Sequence, residues 1–298
     1  MADTFTVDRG ADRAFSIANY VILTLFLIAV AYPLIYTLSA SFSDPRAVIS
    51  GRMWLFPVDV TLDGYRAVFN NPRIITGFQN SLFYTVAGTF ASVVLTLLAA
   101  YPLSRRDLAG RNTIMFLFVF TLLFGGGLIP TYLVVRETGM LDTRWALIVP
   151  GALSVYNMII TRTFFQATIP DELLEAAQID GCSDFRFLRD VVLPLSAPII
   201  AVNALFYAVA QWNQYFSALI YLTNPDLFPL QLILREILVQ NQVDLSQISD
   251  VDKLMQRQNL TDLLKYSLIV VASAPVLIIY PFVQKHFVRG VLIGSLKG

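Results

Sequence analysis

Six stretches of the chain carry no Asp, Glu, Lys or Arg: 15–43, 74–104, 112–135, 145–161, 191–225 and 266–284. A charge at the bilayer centre costs about 2.5–3.5 kcal/mol on insertion scales, and a helix of about 20 apolar residues crosses the hydrocarbon. The pattern therefore predicts six helical spans, at about 15–38, 79–102, 112–135, 145–165, 195–222 and 266–284. The fourth stretch is the shortest, and Arg162 can snorkel its guanidinium to the headgroups so that the helix continues to about Phe165. The expected fold class is an all-α membrane protein, with 1–298 forming one transmembrane domain.

Composition agrees with the pattern. The 298 residues are 56% hydrophobic and 14% charged, with a mean hydropathy of +0.63. An ordinary soluble domain carries roughly 25% charged residues. The 21 basic and 21 acidic residues cancel, leaving no net charge that would attract nucleic acid. The single cysteine, Cys182, excludes an internal disulfide, and the single histidine, His286, excludes a zinc site of the usual kind. Residues 1–14 read as a charged tail before an uncleaved first span, because the apolar run that follows is too long for a signal-peptide core.

Arg105, Arg106 and Arg111 make the turn between the second and third stretches basic, which by the positive-inside rule places it in the cytoplasm and both termini with it. Pro33, Pro102, Pro130 and Pro150 sit within or at the ends of the stretches, and Gly125, Gly126 and Gly127 precede Pro130. Kinks and close helix packing account for these better than ligand contacts.

Between the fourth and fifth spans, at 168–194, the sequence changes grammar. Pro170 suits a first helical position, Asp171 and Glu172 suit the positive end of a helix, and Gly181 suits a left-handed stop. A second short helix follows over about 183–191, and Leu193 and Pro194 lead into the fifth span. Leu173, Leu174, Ala177 and Gly181 keep one face small and apolar, while Glu172, Glu175, Gln178 and Asp180 decorate the rest. An anionic helix is repelled by an anionic leaflet, so a protein partner with basic groups fits this knob better than lipid does.

Glu175-Ala176-Ala177, Gly181, Val191 and Leu193-Pro194 fall at the spacing of a known pattern: Glu-Ala-Ala, three residues, Gly, nine residues, a branched aliphatic, one residue, Leu-Pro. The loop resembles the EAA loop of binding-protein-dependent ABC importer permeases, with Val191 where isoleucine is commoner. The span pattern, the long first external segment and the ending from His286 to Gly294 resemble the MalG-like carbohydrate branch of that family. The resemblance implies that the EAA helix docks on a separate ATPase subunit. Glu175 would be the charged contact, Gly181 the turn, and Ala176 and Ala177 the close-packing face. It also implies a second permease subunit, two ATP-binding subunits, an extracytoplasmic solute-binding protein, and residence in the bacterial inner membrane. ATP and Mg belong to the partner ATPase, since no Gly-x-x-x-x-Gly-Lys-Ser/Thr occurs here and this chain needs no cofactor of its own. Within the branch, permeases for acidic oligosaccharides such as alginate or pectin fragments look nearest.

Polar residues within the spans are candidates for the translocation path. Asn203, Tyr207, Gln211 and Gln214 share one helical face of the fifth span, which also holds Trp212 and Asn213, and the fourth offers Tyr156 and Asn157. Amide and aromatic groups suit sugars, but the same groups can hydrogen-bond helix to helix, and both readings stay open. The segment 226–262 is expected outside, rich in Gln and Asn. The main rival function is an ion-coupled secondary transporter, which normally needs an ionisable residue within a span; the six stretches supply none.

Overall fold

The computed structural model describes residues 9–240 and 264–279, and all regular structure among them is helical. The chain divides into two compact units, 1–70 with 237–271 and 71–236 with 272–298. The expectations for the C-terminal tail and for 241–262 of the external segment lie outside the described residues.

The first unit begins with α1 (Arg9–Ser41), whose 33 residues span about 50 Å at 1.5 Å per residue. Its apolar window is wholly unburied within the chain, as a helix facing lipid or another subunit requires. Asp44 then opens α2 (Pro45–Ile49), its carboxylate accepting the Arg46 N–H at 2.8 Å with Pro45 in the first turn. The helix α3 (Asp63–Phe69) follows. Ala40, Val48 and Met53 form a small core with Tyr36, Val58 and Tyr266 against it. Ser43 binds it further, donating to the Ser39 carbonyl at 2.8 Å and accepting the Val58 N–H at 3.1 Å.

The second unit is built on α4 (Pro72–Ser104), a 33-residue helix that Asn71 caps and Pro72 starts. Gly77, Ser81, Tyr84, Gly88, Ser92, Thr96 and Ala100 recur every three or four residues and are all buried. This stripe of mostly small side chains lets other helices approach closely, which is how helices associate where water supplies no hydrophobic drive. After α5 (Arg111–Leu123) the chain turns by 114° into α6 (Leu128–Glu137). The expected single span over 112–135 is therefore two helices. The break falls at Gly127, whose φ of +85° and ψ of 180° belong to glycine alone, so the three-glycine run ends a helix that composition alone would continue.

The stretch expected as one span over 145–165 is also interrupted, into α7 (Trp145–Ile148) and α8 (Val155–Thr168). Pro150 and Gly151 lie between them, and Ser154 restarts the helix as its N-cap. Arg162 does not reach outward: its Nε donates to the Leu103 carbonyl at 2.8 Å, and Gln166 donates to the Ser104 carbonyl at 3.3 Å. Both satisfy carbonyls left free at the end of α4, where a cation also meets the negative helix terminus.

Next come α9 (Asp171–Ile179), α10 (Asp184–Phe187), a π-helical turn (Leu188–Val192), α11 (Leu193–Leu195) and α12 (Ala197–Trp212). The segment Asp184–Leu195 meets α12 at 81°, at Ser196. Pro198 has no N–H to bond the carbonyl of Pro194, so the corner costs little there. After α13 (Phe216–Tyr221) a 3₁₀ turn (Pro225–Leu227) leads to α14 (Leu230–Gln240). This returning segment lies on the start of α4. Asn80 donates to the carbonyls of Asp226 and Phe228, Tyr84 donates to that of Leu227, and Ser81 accepts the Leu230 N–H. Two described helices, Asp12–Ser41 and Pro72–Ser104, are long and apolar enough to cross a bilayer, and up to four are if each bent pair is one span.

Candidate functional site

The loop that carries the sequence pattern forms a helix–turn–helix knob. Pro170 is the cap of α9 and Asp171 its first residue, one position later than the sequence suggested, and Asp171 and Glu172 stand at the positive end. At the other end the Gly181 N–H bonds the Gln178 carbonyl at 3.0 Å and the Cys182 N–H bonds the Ala177 carbonyl at 2.8 Å. These are the paired bonds of a Schellman stop, and Gly181 holds the left-handed conformation it requires, with φ +73°. Ser183 then caps α10 by accepting the Arg186 N–H.

One flank of the knob rests on its own bundle. Leu174, Ala177, Cys182, Val191 and Leu193 pack on a core of residues from α4, α8 and the π turn, including Leu97, Met158, Phe165 and Val192. The other flank is open. Ala176 and Glu175 are exposed, Pro194 is exposed at the corner, and Ile179 and Phe185 show 86% and 71% of their surface. This flank therefore presents exposed apolar side chains beside carboxylates. Of the two alanines expected to form a close-packing face, only Ala177 faces the bundle.

Sequence reasoning missed how the knob is tied to the end of α4. Arg105 donates to Asp107 at 2.6 and 2.9 Å, to Asp184 at 3.0 Å and to the Tyr101 hydroxyl at 3.0 Å. Arg106 pairs with Asp171 at 3.2 Å. The Arg105 guanidinium holds the Asp107 carboxyl below the usual range, chiefly through their hydrogen bond. The available signal was Arg105 and Arg106, which in the sequence pattern served only to orient the turn. With Asp171 and Asp184 engaged, Glu172, Glu175 and Asp180 are the knob carboxylates for which no ion pair forms among the described residues.

The polar face of α12 points inward. Asn203, 1% exposed, donates to the Thr161 hydroxyl at 2.7 Å, and Thr161 donates to the Asn157 carbonyl. The Tyr207 hydroxyl pairs with Thr96 at 2.6 Å and accepts the Ser154 N–H at 3.0 Å. Gln211 lies against Gly88 and accepts from Gln214 at 2.6 Å, and the Trp212 indole donates to the Ala272 carbonyl at 2.9 Å. Asn157 is buried with them. Tyr156 and Asn213 are exposed, with the Asn213 amide turned back to the Val209 carbonyl. Tyr207→Phe should lower thermal stability by about 1 kcal/mol, read from detergent melts, since it strands a hydroxyl and an N–H. Adding Thr96→Val should cost less than the two single losses together.

Long apolar helices without strands among the described residues define an integral membrane protein of the all-α class. The chain belongs to the family described as binding-protein-dependent transport system inner membrane components, which it matches over residues 5–293. It is 44% identical over 290 residues to the polygalacturonan/rhamnogalacturonan transport system permease protein YtcP of Bacillus subtilis, covering 96% of this chain and 99% of that one. Identity is 28% over 288 residues with the maltodextrin transport system permease protein MdxG of the same organism, covering 95% and 96%. Among solved structures, a chain of a bacterial ABC transporter involved in the import of the acidic polysaccharide alginate superposes with a TM-score of 0.85, at 33% identity, covering 96% of this chain and all of that one.

Proposed function

We propose that this chain is one of two membrane-spanning subunits of an importer of oligosaccharides, acidic ones above all, driven by a separate ATPase. The observation that carries the reading is the closed, anionic knob whose outer flank is bare. Glu175 and Gly181 serve as charged contact and turn at a basic groove of the ATPase, which holds ATP and Mg, and Ala176 lies on the docking flank, while Ala177 and Leu193 seat the knob and Pro194 leads it into α12. A second permease subunit, a second ATPase subunit and an extracytoplasmic binding protein complete the assembly. Support for an acidic sugar comes from the names borne by the relative from Bacillus subtilis and by the solved transporter.

Six crossings follow if α1, α4, the α5–α6 pair, α7 with α8, α12 and the last described helix (Leu264–Ile279) are each counted once. The 104–111 turn and the knob then share the cytoplasmic side, a reading the Arg105–Asp184 and Arg106–Asp171 pairs support, and both termini are cytoplasmic. Tyr156 and Asn213 face the path, while Asn157, Asn203, Tyr207, Gln211 and Trp212 form the wall behind it. Ion coupling finds no support in a family of binding-protein-dependent systems.

The test is ATP turnover by the assembled complex in lipid vesicles with its binding protein. Oligogalacturonate or oligoalginate should stimulate turnover several-fold, and maltodextrin little. Equal stimulation by neutral and acidic oligosaccharides would refute the solute class, and no stimulation by any sugar would refute the carbohydrate reading.

A further inference from the structure

We infer that Arg105 is a positioning residue that carries movement of the knob directly into α4, a route separate from the covalent path through Pro194 into α12. The inference rests on the proposed docking of the knob on an ATPase.

The two short helices of the knob are each tied at their first residue, Asp171 of α9 to Arg106 and Asp184 of α10 to Arg105. Both arginines follow immediately on Ser104, the last residue of α4. Arg105 is built in at its base: its side chain is only 11% exposed, it bonds Tyr101 one turn back in α4, and its carbonyl accepts from Arg111 at 3.0 Å. Its guanidinium thus moves with α4, and the bond to Asp184 is what it offers the knob. The N-terminal half of α9 faces this end of α4 across a cleft of about 560 Å³, whose lining joins Arg105, Arg106, Asp171 and Glu172 to apolar residues such as Leu174 and Phe187. Beside the apolar packing of Leu174 and Ala177 on the bundle core, the ion pairs form a second link, joining the first residue of each knob helix to the end of α4.

The covalent route is less direct. It passes a π-helical turn and an 81° corner at Ser196 before reaching α12. The helix α4 lies buried against α12 along its stripe of small residues and against α8 toward its C-terminal end, so a displacement delivered there reaches all three.

The test uses Asp184→Asn, Arg105→Gln and the double variant in the assembled complex with liganded binding protein. The quantity read is the ratio of stimulated to unstimulated ATP turnover. With the Asp184 partner open to solvent the pair is a modest one, so Asp184→Asn should lower the ratio about two- to fivefold. The double variant should be no worse than Arg105→Gln alone, as residues acting through one bond behave. The ATPase subunit that co-purifies should stay at the wild-type amount. A wild-type ratio for Asp184→Asn, additive losses in the double variant, or a parallel loss of bound ATPase would each overturn the inference. Asp184 is exposed and Ser183 caps its helix, so its variant tests the idea even if Arg105→Gln does not fold. Glu175→Lys separates the two levels: if it uncouples while Asp184→Asn does not, the knob still docks and only the Arg105 route fails. If neither uncouples, the docking itself is wrong.

Discussion

Gly181→Pro is expected to abolish coupling, lowering binding-protein-stimulated ATP turnover by at least about tenfold and releasing the ATPase subunit on purification. A Cβ at Gly181 would meet nothing within 4 Å, so the effect is conformational and not steric. The residue sits at φ +73°, whereas proline is locked near −65° and has no N–H to give Gln178. The neighbouring bond from Cys182 to Ala177 depends on the same turn. A nine-residue helix is too short to persist on its own propensity, and α9 has no fully buried residue, so its stop decides whether it forms. Gly181→Asn should keep most activity, because asparagine tolerates the left-handed region. Gly181→Ala should fall between, with a strain of about 1–2 kcal/mol. Normal coupling in Gly181→Pro would remove the physical basis for the knob as a docking element.

The knob was legible because its signals are local. A proline, two acids, a glycine and a second proline each act within a few residues, and helix start, stop and restart followed within one position. The spans were less legible. Absence of charge locates a segment in the bilayer but says nothing about breaks inside it, and Gly127 and the Pro150–Gly151 pair each divide a stretch that composition treats as continuous. Periodicity did place Asn203, Tyr207 and Gln211 on one face. It could not tell whether that face meets a path or another helix, because the answer depends on Thr161, 42 residues from Asn203, on Thr96, 111 residues from Tyr207, and on Gly88 in the same distant helix. The Arg105 network escaped for the same reason: its partner Asp184 is 79 residues on.

That dependence on distant partners makes Gly88→Leu a disruptive change inside the bundle. A Cβ there would stand 2.6 Å from Cδ and Nε2 of Gln211, on the facing helix α12. Gln211 is buried and accepts from Gln214, so swinging away breaks that hydrogen bond. Overpacking of this kind costs about 1–3 kcal/mol, and leucine pushes further along the same line than alanine would. The expected result is a loss of most folded permease and of the assembled complex, measured by detergent melts and by recovery from the membrane. Trimming the facing side chain gives the decisive comparison. Gln211→Ala removes the atoms that the introduced leucine side chain would strike, so the double variant should regain most of the loss, whereas an equally poor double variant would show that Gly88 is needed for its backbone and not for the space it leaves to α12.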